Sequence, residues 1–372
     1  MIKVLQVSSD TNIGGAGKCI LTFLENYDRS RFDMAVVLPK NSLLKPHIEA
    51  LGVRIIEADG IADKSLGFEG IKSLKKIFKQ EKPDVIHTHA SMSARIAARL
   101  CKGIKIVYTR HCVYEPSPRI SKGIGKKING FVNNYFTDEI IAVAEAAKKN
   151  LTDSGVDERK IKVILNGIKP IEPLTDDEKS AIKKKYGIGE NQKVVSILAR
   201  LEPVKGHEFL LQAAKTVKEK GFDVKFIIAG TGSVENELKQ LSDEMGLSDT
   251  VLFTGFVSDV REIVNITDIS ANASYGTEAT SIALLEGMCL GKPAVVSDFG
   301  GNPGVIENGV NGFLFEAKNS SEMAERFCDI LGNDELYKSL CEGSVRRFNE
   351  KFTADIYTEN IENVYSALCE KE

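Results

Sequence analysis

Short apolar runs alternate with amphipathic stretches along most of this chain, and that alternation admits few folds. In the first half the apolar runs fall at 2–8, 32–38, 53–57, 84–88, 104–109, 139–144 and 161–165. Helical segments of about ten or more residues separate most of them, the length a parallel crossover requires. Continuously apolar strands joined by such helices make a parallel sheet covered on both faces. Residues 166–192 interrupt the rhythm with Pro170, Pro173 and a polar, charged stretch. It resumes at 193–198, 224–230, 250–255, 267–273 and 292–297. We therefore expect an α/β protein with two Rossmann-like parallel-sheet domains and a boundary near 168–172. A cleft between the carboxyl edges of two such sheets is where ligands are expected. The last segment, about 351–371, reads as one helix, with Ile356, Ile361, Val364 and Leu368 at helical spacing. It comes too late to feed another strand.

Composition narrows the function classes. The 372 residues are 42% hydrophobic and 27% charged, as in ordinary globular proteins, and the length suits two domains. The formal net charge of −3 gives no basic excess of the kind that marks nucleic-acid binding. Residues 1–170 hold 28 basic and 18 acidic residues, a net +10, and the remainder nets −13. Opposite signs suggest two domains with different tasks, the basic one suited to an anionic substrate or surface, although drift between domains would look the same. The seven cysteines are odd in number and form no Cys-x-x-Cys pair, so neither a disulfide framework nor a zinc knuckle is indicated. A cytoplasmic setting fits best. The opening residues read as a buried strand and not as a signal peptide. No apolar run approaches the roughly 18 residues of a membrane span.

Three suggestive motifs are incomplete. Gly14-Gly15-Ala16-Gly17-Lys18-Cys19 has Asn12 in place of the first P-loop glycine and Cys19 in place of its Ser/Thr. Gly230-Thr231-Gly232 follows a strand, but Glu235 takes the third glycine position of a dinucleotide fingerprint, which disfavours a dehydrogenase. His87 and His89 share one face of a strand without an evident third ligand. Core or hydrogen-bonding histidines are the better reading. No Asp-x-Asp occurs, so nothing advertises carboxylates holding a metal–diphosphate, and no metal or other cofactor is expected.

The second half carries a denser signal. Residues 199–207, with Arg200 and Lys205, run from a strand end into a helix. Two cations there could hold a diphosphate, the arginine by its fork and the lysine as a point charge, or they could be ordinary loop charges. Residues 274–286 lead small and polar side chains into a helix. Its first N–H groups, at Ser281, Ile282 and Ala283, suit an anion. Glu278 precedes that helix and Glu286 lies within it, about 10 Å further on at 1.5 Å per residue. The pair is too far apart to share a proton and suits the two ends of an elongated ligand. Glu278 could instead complement the helix dipole. Glu286 could face solvent, though its neighbours Leu284, Leu285 and Met288 set it on or beside a packed face.

Taken together, several phrases resemble the retaining, metal-independent GT-B glycosyltransferases of family 4 (group 1). They are Arg200 with Lys205, Thr254-Gly255-Phe256, Glu278 with Glu286, Gly291-Lys292-Pro293, Gly300-Gly301-Asn302-Pro303 and Asn311-Gly312-Phe313-Leu314. Gly14 and Gly15 match the family's glycine loop, and Asn166-Gly167-Ile168 its interdomain phrase, so the likeness spans nearly the whole chain. It implies an acceptor-side domain at 1–168, completed by the helix at 351–372, and a nucleotide-sugar domain at 169–350. It assigns Arg200 and Lys205 to the donor diphosphate, Glu286 to the ribose and Glu278 to the donor sugar. It sets Phe256 and Val257 beside the base, Asn166 in the donor site, and His111 on the donor sugar across the cleft. Arg110 would help near the phosphates or acceptor. The sequence departs from the family pattern at Ala279-Thr280-Ser281, Pro303-Gly304 and Ala144-Glu145.

The implied reaction moves a sugar from a nucleotide donor, uridine more readily than guanosine, to a glycan or lipid-linked acceptor. It would proceed with retention, the leaving phosphate helping to deprotonate the acceptor. A nucleotide-sugar epimerase of the same architecture is disfavoured by the intact charged set. A non-catalytic nucleotide-sugar-binding subunit is disfavoured for the same reason. Residues 119–132 add a local clue. As one helix they would set Arg119, Lys122 and Lys126 opposite Ile120, Ile124, Ile128 and Phe131. Such a helix could dock on anionic lipid at the inner face of a membrane, or pack its apolar side on the sheet.

Overall fold

The computed structural model describes residues 1–114 and 116–370. Glu115 and the last two residues of the expected final helix lie outside the described residues. The chain forms two units, Met1–Ile168 with Ala354–Glu372, and Lys169–Thr353.

Seven strands build the first unit: β1 (Ile2–Ser8), β2 (Phe32–Pro39), β3 (Arg54–Ala58), β4 (Val85–His89), β5 (Lys105–Arg110), β6 (Glu139–Ala142) and β7 (Ile161–Val163). They pair in parallel in the order β3-β2-β1-β4-β5-β6-β7. The second unit holds β8 (Lys193–Leu198), β9 (Val224–Ala229), β10 (Val251–Gly255), β11 (Ile269–Asn272), β12 (Ala294–Ser297) and β13 (Gly312–Phe315). Their parallel order is β10-β9-β8-β11-β12-β13. Each order reverses direction once, beside β1 in the first sheet and beside β8 in the second. Loops diverge there, and the crevice that opens at the carboxyl ends is the ligand position of such sheets.

Burial follows the apolar runs. Val4, Leu5, Val7, Val36, Val37, Ile86, Ile106 and Val107 are enclosed in the first unit, as are Val194, Phe226, Ile227, Ile228, Val295 and Val296 in the second. Helices cover both sheet faces. In the second unit the ring of Phe327, from helix Ser320–Leu331, meets Phe226 edge-on at 5.7 Å. The polar break also contains a helix, Asp176–Lys185, started by a capping box. The Thr175 N–H donates to Glu178 Oε2 at 2.8 Å and the Glu178 N–H to Thr175 Oγ1 at 3.3 Å.

The final helix, Ala354–Cys369, belongs to the first unit and starts three residues later than the spacing suggests. The Ala354 N–H donates to Ile168 O at 2.9 Å. Tyr365 then enters the core edge-on to Phe23 and Phe32, with ring centroids 5.9 and 5.8 Å apart. Glu362 accepts the Asp28 N–H at 2.7 Å and pairs with Arg31 at 3.2 Å. The helix is thus an integral layer of a unit from whose other residues it is separated by 185 intervening ones, 169–353.

The 119–132 reading needs correction. Lys122 adopts extended backbone and splits the segment into Pro118–Ser121 and Gly123–Tyr135. The longer helix turns Gly130 inward. A Cβ on Gly130 would stand 2.1 Å from Gly155 O, and one on Gly155 would stand 2.4 Å from Lys126 O. Backbone therefore packs on backbone, and the bulky face turns outward. Ile124, Ile128, Phe131 and Tyr135 are 76%, 58%, 68% and 53% exposed. Lys126 is half-buried on the inner side, so no continuous basic face forms opposite the apolar one.

Candidate functional site

In the second unit the loop after β8 carries Arg200, exposed, and a short turn at Pro203–Lys205. Gly206 ends that turn at φ +69°, and a Cβ there would lie 2.1 Å from Ala273 O. Only glycine allows this backbone approach, which seats the turn against the end of β11. The Lys205 ammonium donates to Glu278 Oε2 at 2.9 Å and to Thr277 O at 3.0 Å. The same carboxylate oxygen accepts from Asn272 Nδ2 and from Ser274 Oγ, each at 3.0 Å. Three donors thus fix Glu278 at the switch point between β8 and β11.

The loop after β12 backs this cluster. Gly300, at φ +64°, brings its backbone so near that a Cβ would meet Glu278 O at 2.2 Å. The Gly301 N–H donates to that carbonyl at 3.2 Å. Asn302 is fully buried and donates through Nδ2 to Ser297 Oγ at 3.1 Å, and Ser297 Oγ donates to Ser274 O at 2.6 Å. The Gly-Gly-Asn phrase is therefore the support of the Glu278 loop. Asn272 and Ser274 were not singled out in the sequence, and Asn302 entered only within a family phrase, without a role. Nothing in their spacing marked them, since β11 already carries the polar Ser270 and Ser274 lies two residues past its end.

Ser281 caps helix Ile282–Cys289 without a side-chain hydrogen bond, so the first turn begins at the expected place. Glu286 is buried on this helix beside Leu284, Leu285 and Met288, which removes the solvent-facing alternative. Phe256 is 78% exposed after β10, whereas Val257 packs against the cluster of Ile188, Val194 and Ile227. The Gly230-Thr231-Gly232 loop also finds its reason. Cβ atoms on Gly230 and Gly232 would collide with Ala199 O and Leu201 O at 2.0 and 2.2 Å. These glycines let two backbones meet, and Glu202 reinforces the contact by accepting Ser233 Oγ–H at 2.7 Å.

In the first unit Gly14 caps helix Gly15–Asn26, and a Cβ on Gly14 or Gly15 would meet nothing within 4 Å. Packing does not demand these glycines. Asn166 is buried, and its Oδ1 has no partner among the described residues. Arg110 spends its guanidinium internally, on Cys112 O at 3.1 Å and Asn150 Oδ1 at 3.3 Å, with Tyr114's ring beneath it at 4.3 Å. Arg119 and Lys122 stand at the exposed turn before helix Gly123–Tyr135.

His111, just past β5, is not solitary. Its Nε2 lies 2.8 Å from His89 Nδ1, whose ring in turn places Nε2 2.7 Å from Gln6 Oε1. His87 bonds Tyr365 and Thr109. Burial holds all three imidazoles neutral, with His87 lowered to about 3 and His111 to about 4. The pair His87 and His89 thus takes the hydrogen-bonding role. Among the described residues no group of three or more His, Cys, Asp or Glu side chains is placed to hold a metal ion.

Two parallel sheets, each reversing its strand order once, have the architecture of the GT-B fold. The chain belongs to the family 4, group 1 glycosyltransferases: residues 13–171 match "Glycosyltransferase Family 4" and residues 178–345 match "Glycosyl transferases group 1". A putative glycosyltransferase of Bacillus subtilis, EpsD, is 28% identical, with 81% of each chain covered. The Escherichia coli UDP-Gal:alpha-D-GlcNAc-diphosphoundecaprenol alpha-1,3-galactosyltransferase is 29% identical over 85% of this chain and 84% of its own. The solved structure of Anabaena Alr3699/HepE in complex with UDP superposes with a TM-score of 0.83 at 22% identity, covering 99% of this chain and 100% of that one. No helix among the described residues is long and apolar enough to cross a membrane.

Proposed function

We propose that the chain transfers a sugar, with retention and without a metal, from a nucleotide diphosphate donor to a glycan or lipid-linked acceptor. The observation that carries this reading is the Lys205–Glu278 pair, 2.9 Å apart with side chains only 15% and 10% exposed, at the carboxyl edge of the second sheet. Breaking the sugar–phosphate bond puts negative charge on the leaving diphosphate, and preorganised positive groups must meet it. Arg200, Lys205 and the helix start at residues 281–283 supply them. Glu278, oriented by its three donors, accepts hydroxyls of the donor sugar. Glu286 accepts the ribose hydroxyls, and Phe256 with Val257 borders the base. From the first unit we assign Gly14, Gly15, Asn166 and His111 to the donor as well, and Arg110 to orienting the loop that follows β5. Front-face attack, with the leaving phosphate taking the acceptor's proton, needs no protein nucleophile. We favour uridine donors, and the uridine named for the Escherichia coli relative supports that choice.

The direct test is a thermal-shift panel of UDP- and GDP-sugars in EDTA. A donor at about 100 times its Kd stabilises the native state by about 2.7 kcal/mol. We expect a shift with UDP-sugars that Glu286→Ala abolishes. A panel without any shift would overturn the donor site, and a shift that EDTA removes would overturn metal independence.

A lipid-linked acceptor has its own support. Helix Gly123–Tyr135 presents four bulky apolar side chains to solvent, with the exposed Lys127 beside them and no acidic residue on the helix. Such a face suits a membrane interface rich in anionic lipid. We expect sedimentation with vesicles containing phosphatidylglycerol, reduced about tenfold in the double variant Ile128→Glu, Phe131→Glu. Equal binding by that variant would place the lipid contact elsewhere, and no binding by the wild type would remove it.

A further inference from the structure

Gln6, His89, His87, Tyr365 and Thr109 join His111 in one buried hydrogen-bonded chain that spans β1, β4, β5 and the final helix. Its links are His111 Nε2 to His89 Nδ1 at 2.8 Å, His89 Nε2 to Gln6 Oε1 at 2.7 Å and Gln6 Nε2 to Tyr365 OH at 3.4 Å. It continues from Tyr365 OH to His87 Nδ1 at 2.5 Å and from His87 Nε2 to Thr109 Oγ1 at 2.6 Å. Every link needs one proton, so choosing the direction of one fixes all the others.

Two directions are conceivable, and the distances separate them. A phenol is a strong donor and a poor acceptor, whereas the bare imidazole nitrogen is a strong acceptor. The short Tyr365–His87 contact is therefore the one the phenol donates, and the long contact is the one it accepts from Gln6. Gln6 then presents its carbonyl to His89, which must carry its proton on Nε2. A neutral His89 consequently accepts at Nδ1, and His111 must donate from Nε2. That leaves His111 Nδ1 as a bare lone pair. It is buried and has no partner among the described residues, while every ring nitrogen of His87 and His89 has one. A buried acceptor left open costs about 1–3 kcal/mol, a cost a bound hydroxyl would relieve.

We propose that Gln6, His89 and Tyr365 are positioning residues that lock His111 in its Nε2–H tautomer, so that Nδ1 accepts a hydroxyl of the donor sugar. The functional half rests on the donor role assigned to His111 above. The tautomer does not rest on that role.

The test combines histidine ¹⁵N spectroscopy with kinetics on the full chain. The five histidines are few enough to assign by substitution. In the wild type His111 should show a protonated Nε2 and a bare Nδ1. Gln6→Glu puts a carboxylate against His89 and draws it toward the imidazolium. His89 then donates from Nδ1, and His111 must move its proton to Nδ1. We expect that switch together with a kcat at least tenfold lower at little-changed KM for the acceptor. Tyr365→Phe, a milder change, should free the Gln6 amide to turn over and give a mixture of both His111 tautomers. A His111 that keeps one tautomer in both folded variants overturns the relay. A switched tautomer with unchanged kcat overturns the functional half through the donor role of His111, and leaves the relay itself intact.

Discussion

Lys205→Ala is expected to lower kcat/KM for the nucleotide-sugar donor by about 10²–10³-fold, the loss typical of removing one preorganised donor to a developing negative charge. The lysine has two jobs in this site, and the experiment separates them. Its ammonium holds Glu278 Oε2 at 2.9 Å and Thr277 O at 3.0 Å, so it shapes the sugar end of the site. It also brings positive charge to the leaving diphosphate. If charge on the diphosphate dominates, free UDP and the UDP-sugar should both bind more weakly in the variant. If orientation of Glu278 dominates, UDP affinity should survive while discrimination among donor sugars collapses. Asn272 and Ser274 still hold Glu278 in the variant, so the loop should stay ordered. Activity within threefold of the wild type would remove Lys205 from the mechanism. Arg200 is exposed after β8 and is expected to matter less, since solvent screens its charge.

Acid should unfold the first unit well before the second. His87 and His89 are buried in unit one and His111 is half-buried beside them, all with pKa values pushed below 6.5 chiefly by desolvation: His87 to about 3, His111 to about 4 and His89 well below. His207 in unit two is lowered to about 4 for the same reason, with Lys205 adding to it. The sign follows from the folded values being the lower ones. Above 6.5 both states are neutral and stability is full. As pH falls below 6.5 the unfolded chain takes up protons that the folded unit refuses, and stability drops until pH reaches the lowered folded values. From pH 7.5 to 5.5 each such histidine costs on the order of 1 kcal/mol. Unit one, with three such histidines, should therefore lose more stability than unit two, with one. Asp10, its carboxyl raised by burial and by Asp63, opposes this only slightly in the same window. Hydrogen exchange read by mass spectrometry at the two pH values measures each unit separately. Equal loss of protection in both units would show that the histidine cluster takes up protons while folded.

The two-unit architecture was legible because parallel strands buried on both faces leave continuous apolar runs. Each run longer than three residues in the second half became a strand close to its expected bounds. The final strand, Gly312–Phe315, entered only within a family phrase and was not read as an apolar run. Lys205, Glu278 and the helix start at Ser281 were readable for a physical reason. Charge beside small residues at a strand end has little to do with packing. Asn272 and Asn302 were not readable, because a buried amide shows its purpose only once its partners are in place. The helix at 123–135 misled for the opposite reason. An apolar stripe normally marks the buried face, but Gly130 and Gly155 permit a backbone contact so close that the bulky stripe is left outside. His111 and His89 were read separately, since one sequence cannot show that a ring on β4 and a ring just past β5 share a proton.

The return of helix Ala354–Cys369 to the first unit also has a consequence for how the protein is made. Residues 169–353 leave the ribosome between the first unit's sheet and the helix that completes it. At 5–20 residues per second that interval lasts roughly ten to forty seconds. Throughout it the seats of Tyr365 against Phe23, Phe32 and His87 stand empty, and at its end the second unit has all of its residues while the first still lacks its helix. A nascent chain of this kind matures out of order: the half translated first is finished last, and the surface it shows meanwhile is the one a chaperone would find.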